Sequence, residues 1–350
     1  MRFIHIADVH LGAGPDKGMP WEDERAQEIW DSFERVLDEA VKRKADFLFI
    51  SGDLFHRQPL KRELKEVNYR FERLYPMRVV MIAGNHDYIG LNSYYKSFEW
   101  ADNVCFFRQQ KLSYAYFEDK QTYVDGLSYE NYEISEALYD DIRPLDKPGC
   151  HILLAHGGDE KHIPINNQKL FSAGFDYVAL GHIHKPEILR ADTAAYAGAL
   201  EPIDRNDTGN HGFIEGVFED DKMRIAFVPF AKRAYIHLPV RMDGRMPWSM
   251  VVDIVRDELI RRGEENLYKI ILSGLRDPEI EMDYRLLWRL GRVVEIEDHT
   301  APDYDFDALY AQNKDNIIGK YIEKIQRLSE PEEVKEKALY YGIQALLKLK

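Results

Sequence analysis

Five short apolar runs in the first part of the chain each end on residues of the kind that hold metals or phosphates. They are Phe3–Ala7, Phe47–Ile50, Val79–Ile82, His151–Ala155 and Tyr177–Leu180. They open into Asp8-Val9-His10, Ser51-Gly52-Asp53, Gly84-Asn85-His86-Asp87, His156-Gly157 and Gly181-His182-Ile183-His184. An apolar run of this length bounded by polar residues and glycine reads as a buried strand. Side chains at i and i+2 of a strand leave the same face. His182 and His184 therefore enter one space together, as do Asp8 and His10. Between the first runs lie two helical patterns. Glu22–Lys44 carries Ile29, Trp30, Phe33, Val36, Leu37, Ala40 and Val41 on one stripe, and Lys61–Leu74 follows. Strand-then-helix units indicate an α/β core, in which ligand residues gather outside the carboxyl ends of the strands.

The remaining pattern sets the architecture. Val104–Tyr129 is β-like, and Ile188-Leu189, Ala195–Ala197, Phe213-Ile214 and Ile225–Val228 read as antiparallel strands. Residues 91–103, with Tyr94, Tyr95, Phe98 and Trp100, read as a short helix with an aromatic face. The expected fold class is α/β (α+β): a two-sheet β-sandwich core flanked by helices over residues 1–232. Residues 233–298 alternate strand and helix, with a helix at Trp248–Arg262, and form a small α/β capping domain. They carry no cluster of His and Asp, so their expected role is packing or gripping substrate. Residues 299–350 form a helical C-terminal tail whose apolar faces suit docking on the chain itself or on a partner.

Composition removes several functions. The 350 residues are 45% hydrophobic and 31% charged, a balance that supports a real core. The net charge of −14 opposes nucleic-acid binding through a broad basic surface, but not phosphate binding through metal ions. Two cysteines, Cys105 and Cys150, provide neither a disulfide framework nor a zinc cluster. The N-terminus meets charge too soon for a signal peptide, and no apolar run has the length of a membrane span. A reducing cytoplasm and no membrane partner are expected.

Asp8, His10, Asp53, Asn85, His156, His182 and His184 together make seven oxygen and nitrogen donors from five strand ends. That is too many for one ion and suits two divalent ions with a shared carboxylate. Asp53, from a central strand, is the natural bridge. Asp8, His10 and His184 would complete one ion; Asn85, His156 and His182 the other. Two ions, two carboxylates and a bridging hydroxide leave a net charge of about +1, matched to a phosphodiester; two ions roughly 3.5–4 Å apart suit in-line displacement by that hydroxide. His86, beside Asn85, is assigned to the transition state or the leaving oxygen, and His56 to an active-site role. Such donors accept Mn, Fe or Zn.

These blocks, in this order, resemble the calcineurin-like metallophosphoesterases over about residues 1–200. Ala7-Asp8-Val9-His10-Leu11-Gly12, Gly52-Asp53-Leu54-Phe55-His56 and Gly181-His182-Ile183-His184-Lys185-Pro186 are most similar to the SbcD/YhaO group of DNA repair exonucleases, as is Tyr196-Ala197-Gly198-Ala199-Leu200-Glu201-Pro202. The phosphoprotein phosphatases carry an aspartate where His56 stands, and in the nuclease group a histidine there is associated with exonuclease action. The resemblance implies a manganese-dependent DNA exonuclease in DNA repair, with single-strand endonuclease activity as an extension. It also implies a small DNA-capping domain, a homodimer formed through residues 61–74 and 94–100, and an SMC-like ATPase partner of SbcC type bound by the C-terminal helices. The competing reading is a small-molecule phosphoesterase, such as a nucleotidase or cyclic-nucleotide phosphodiesterase; the negative net charge motivates it.

Overall fold

In the computed structural model, which describes residues 1–347, the apolar runs are strands buried on both faces. β1 (Arg2–Ile6), β2 (Phe47–Ser51), β3 (Arg78–Ile82) and β4 (Val104–Phe107) pair side by side in parallel. Their side chains alternate between two cores. Phe3, Phe47, Phe49, Val80 and Ile82 face a second sheet, while Ile4, Leu48, Ile50, Val79 and Met81 face α1 (Glu22–Lys42) and α2 (Lys61–Glu72). Burial on both faces is why these segments are unbroken apolar runs rather than alternating ones. Each fully buried Val, Leu, Ile or Phe contributes about 1.5–3 kcal/mol.

The second sheet contains β5 (Ser113–Phe117), β6 (Thr122–Gly126) and β7 (Cys150–His156). After α3 (Asn167–Phe171) it adds β8 (Tyr177–Gly181), β9 (Glu187–Arg190) and β10 (Ala194–Tyr196), in the order β5-β6-β7-β8-β10-β9. β11 (Gly212–Glu219) and β12 (Lys222–Pro229) return to the first sheet, ordered β12-β11-β1-β2-β3-β4. The two-sheet core flanked by helices is thus as expected. β10 differs in one respect. It runs antiparallel to β9 but parallel to β8, because the turn after β9 brings the chain back between them.

α1 begins with Glu22, Asp23 and Glu24 and ends with Lys42, which complements the helix dipole. Ile29, Phe33, Val36, Leu37 and Ala40 are buried, but Val41 is 54% exposed. The buried face continues instead through Arg25, Glu28 and Ser32. Arg25 donates to Glu28 at 2.5 Å and to the Pro202 carbonyl at 2.7 Å, and Arg233 donates to Glu28 at 2.7 Å. Pro202 and Arg233 lie far along the chain, so the charged side chains find their partners only in the completed fold. Residues 91–103 form one 3₁₀ turn, Tyr94–Lys96, and not a longer helix. Tyr95 is buried and donates to Asp87, while Phe98 and Trp100 pack against the helix-lined core. Tertiary packing therefore sets this segment, which is too short for a self-supporting helix.

The chain divides into two compact units, Met1–Ile236 and the residues from His237 onward. β13 (Tyr235–Met242) begins at the junction and joins the sheet of the second unit. α4 (Trp248–Arg262), β14 (Leu267–Arg276), α5 (Tyr284–Trp288) and β15 (Val293–Pro302) follow, with sheet order β13-β14-β15 and β14 parallel to β15. α4 buries Val251, Val252, Val255 and Leu259. Next come α6 (Phe306–Gln312), α7 (Ile317–Gln326) and α8 (Glu332–Leu347). Ile318 and Ile322 of α7 cluster with Leu339 and Ile343 of α8. Among the described residues no helix is long and apolar enough to cross a membrane.

Candidate metal centre

The centre lies in the first unit, at the carboxyl ends of β1, β2, β3, β7 and β8. All seven donors expected from the sequence converge there. Asp8, His10 and His184 offer ligand atoms within 4.8 Å of one another, and so do Asp8, Asp53 and His156. Asn85 Oδ1 lies 2.9 Å from His156 Nε2 and 3.1 Å from His182 Nδ1. Four of these residues, Asp8, His10, Asp53 and His182, have positive φ, between 49° and 96°. Each such non-glycine conformation costs about 1–3 kcal/mol and persists only where the surroundings enforce it. Four of the seven converging donors carry that conformation.

Glycine allows the strand ends to come this close. A Cβ on Gly84 would strike the Asp53 carboxylate, and a Cβ on Gly181 would strike the Ser51 carbonyl.

Four histidines have their outer nitrogens committed. His156 Nδ1–H donates to the Ser51 carbonyl at 2.8 Å. His182 Nε2–H donates to Asp159 at 2.7 Å and His184 Nδ1–H to Asp207 at 3.1 Å. His10 Nδ1 lies 3.3 Å from His56 Nδ1, which serves as its acceptor. The inner nitrogens then turn into the centre. His10 Nε2 and His184 Nε2 face each other at 3.1 Å, and His156 Nε2 faces Asn85 Oδ1 and, at 3.5 Å, Asp53 Oδ2. Donor atoms opposed at this distance repel unless positive charge, a proton or a metal ion, lies between them. The donor set therefore fits divalent metal ions, and it contains no thiolate.

The charges agree. Burial raises the Asp8 carboxyl to about 6. Burial would raise Asp53 too, but His156, His10 and His86 hold it well below the usual carboxylate range. Burial lowers His182 to about 4, with His156 adding to the effect, and takes His10 well below its ordinary value. His156 and His184 go the other way, to about 9, because Asp53 outweighs burial at His156 and Asp207 with Asp8 does so at His184.

His86 stands at the edge of the donor set. Its Nδ1–H donates to the His56 carbonyl at 3.0 Å, which leaves Nε2 free for a substrate. Its ring lies 4.8 Å from that of His10 and stacks on His56 at 5.0 Å. Asp87 does not hold it: that buried carboxylate accepts from Gly84 N, Phe55 N and Tyr95. The structure adds three residues that the strand-end pattern does not show. Asp159 and Asp207 fix the two histidines of Gly-His-x-His from behind, and His162 lies 4.7 Å from the His182 ring. All three sit in loops, where no periodicity marks them.

Residues 1–186 match the model of the calcineurin-like phosphoesterases, and the chain belongs to that family. Within it, the chain is 32% identical over 233 residues to the uncharacterized metallophosphoesterase YhaO of Bacillus subtilis; the match covers 61% of this chain and 56% of YhaO. It is 30% identical over 239 residues to the DNA double-strand break repair protein Mre11 of Archaeoglobus fulgidus, covering 58% of this chain and 51% of the relative. With Mre11 of Sulfurisphaera tokodaii it shares 23% identity over 361 aligned positions, 95% of this chain and 90% of the relative. The aligned stretch spans about half the length of the first two relatives.

Proposed function

We propose that this chain is a metal-dependent DNA exonuclease of DNA repair, with internal cutting of single strands as a second activity. The observation that carries it is the convergence of four histidines with Asp8, Asp53 and Asn85, with His86 and His56 beside them. Asp8, His10 and His184 would hold one ion, Asn85, His156 and His182 the other, and Asp53 would serve both. Bound divalent ions supply Lewis acidity toward the phosphoryl oxygens and an activated water at neutral pH. His86 directs Nε2 at the substrate and hands a proton to the leaving oxygen. His56 fixes the orientation of both His86 and His10. Relatives named for double-strand break repair support DNA as the substrate. Manganese as the metal, a homodimer through residues 61–74 and 94–100, an SMC-like ATPase bound by the C-terminal helices, and a cytoplasmic site of action belong to the same proposal.

The test is digestion of end-labelled single- and double-stranded DNA with Mn, beside a Mg control and a His86→Ala control. Mn-dependent shortening that vanishes in the variant is expected. Intact DNA beside rapid hydrolysis of small nucleotides would overturn the reading. A specific observation favours that alternative: Arg57 and Lys161, adjacent in sequence to His56 and His162, are paired with Glu63 and Glu133. A DNA track needs cations on the rim.

A further inference from the structure

We propose that Tyr132 forms a nucleobase subsite at the edge of the centre, where a base next to the scissile phosphate stacks; this rests on the nuclease reading above. The Tyr132 ring lies 6.1 Å from that of His86 and 5.7 Å from that of His162, meeting both edge to face. His162 in turn lies 4.7 Å from His182. The tyrosine thus spans from the residue assigned to the leaving oxygen to the side of the centre formed by Asn85, His156 and His182.

Tyr132 is 48% exposed, yet its loop is pinned on both sides. Tyr129, three residues before, is buried; its N–H donates to the Ala83 carbonyl at 3.2 Å and its hydroxyl to the His156 carbonyl at 3.0 Å. Ile134, two residues after, exchanges backbone hydrogen bonds with Lys161 and Ile163 at 2.8 and 2.7 Å. Gln110 ties Glu130 by two more bonds. A large ring is therefore held in a fixed position over the reacting groups, and part of its surface is left to water.

The neighbours decide what it would take. Glu130 and Glu133 flank it, and Lys161 is already paired with Glu133. A second backbone phosphate is disfavoured there. An uncharged π-face on a phosphodiester fits, and every nucleobase supplies one. Stacking of this kind tolerates any base, as removal of successive nucleotides requires.

The experiment compares oligonucleotides carrying bases on both sides of the cleaved bond with ones carrying stable abasic residues there. The ratio of kcat/KM on the two is measured for the full chain with Mn. The ratio should fall about ten-fold in Tyr132→Ala, mainly through KM, and stay within about two-fold of the native value in Tyr132→Phe. Tyr132→Leu replaces the alanine variant if that one fails to fold. An unchanged ratio in Tyr132→Ala, or an equal loss in Tyr132→Phe, overturns the subsite while the nuclease reading stands. A native chain that cuts no DNA but hydrolyses an aryl phosphodiester overturns both.

Discussion

His184 Nδ1 lies 3.1 Å from a carboxylate oxygen of Asp207, which also accepts the backbone N–H groups of Ile203 and Asp204. Three donors lock this carboxylate, and its own side chain is only 13% exposed. It therefore holds the His184 ring with Nε2 turned inward. Asp159 does the same for His182 but is 47% exposed, and is weakened by solvent. Removing a carboxylate behind a ligating histidine lowers metal affinity about 10–100-fold. Asp207→Ala should fall in that range for one of two ions, and Asp159→Ala should lose less for the other. Titration of metal-stripped protein by calorimetry reads both steps. Equal losses, or none, would show that these carboxylates do not orient the rings.

Under the proposed function, His86 separates chemistry from metal binding. Its Nδ1 is committed to the His56 carbonyl, so Nε2 alone addresses the substrate. His86→Ala should lower kcat about 10²–10⁴-fold while the metal content per chain stays at the native value. His86→Gln, which restores a hydrogen bond but not a titratable nitrogen, should remain near the alanine variant. A metal content that falls together with the rate would move His86 into the ligand set.

Why some residues were legible in the sequence and others were not follows from the length scale of their interactions. The donors lie at strand ends, where a local apolar run both builds the strand and aims the next residues, so Asp8, Asp53 and His182 announce themselves within a few positions. The apolar strand runs and most of the α1 stripe are local in the same sense, whereas the order of strands in each sheet is not. Asp159 and Asp207 are marked by no run; each meets its histidine of the centre more than twenty positions away. Arg25 and Glu28 carry no sequence signal of their burial, because Pro202 and Arg233 are brought to them only by the completed fold.

That buried network governs acid stability. Burial alone would raise Glu28, but hydrogen bonds from Arg233, Arg25 and Lys232 lower it from 4.5 to about 2. A carboxyl depressed in the folded state contributes stability fully above its unfolded value and loses it as pH falls through the folded one. Between pH 4.5 and 2 the native chain should therefore lose Tm more steeply than Glu28→Gln. At pH 7 the variant should be less stable by about 3 kcal/mol, since buried Arg25 loses its closest carboxylate and keeps only Asp16 at 3.6 Å and Glu201 at 3.9 Å. Thermal melts across that window measure both slopes; parallel curves would mean that the network does not titrate with folding.

Gly84 makes the closest approach testable. A Cβ there meets the Asp53 carboxylate, the Asp53 backbone nitrogen at 2.7 Å and the His156 ring at 2.7 Å. None of these is the free end of a flexible chain, so the carboxylate has to move. Asp53 is the residue assigned to both ions, and Gly84→Ala should therefore weaken both binding steps together, unlike Asp207→Ala. Overpacking of this kind also costs about 1–3 kcal/mol of stability. Gly14→Ala is the control, because a Cβ there meets nothing within 4 Å; its metal titration and Tm should match the native chain. If Gly84→Ala weakens one step and spares the other, Asp53 does not serve both ions.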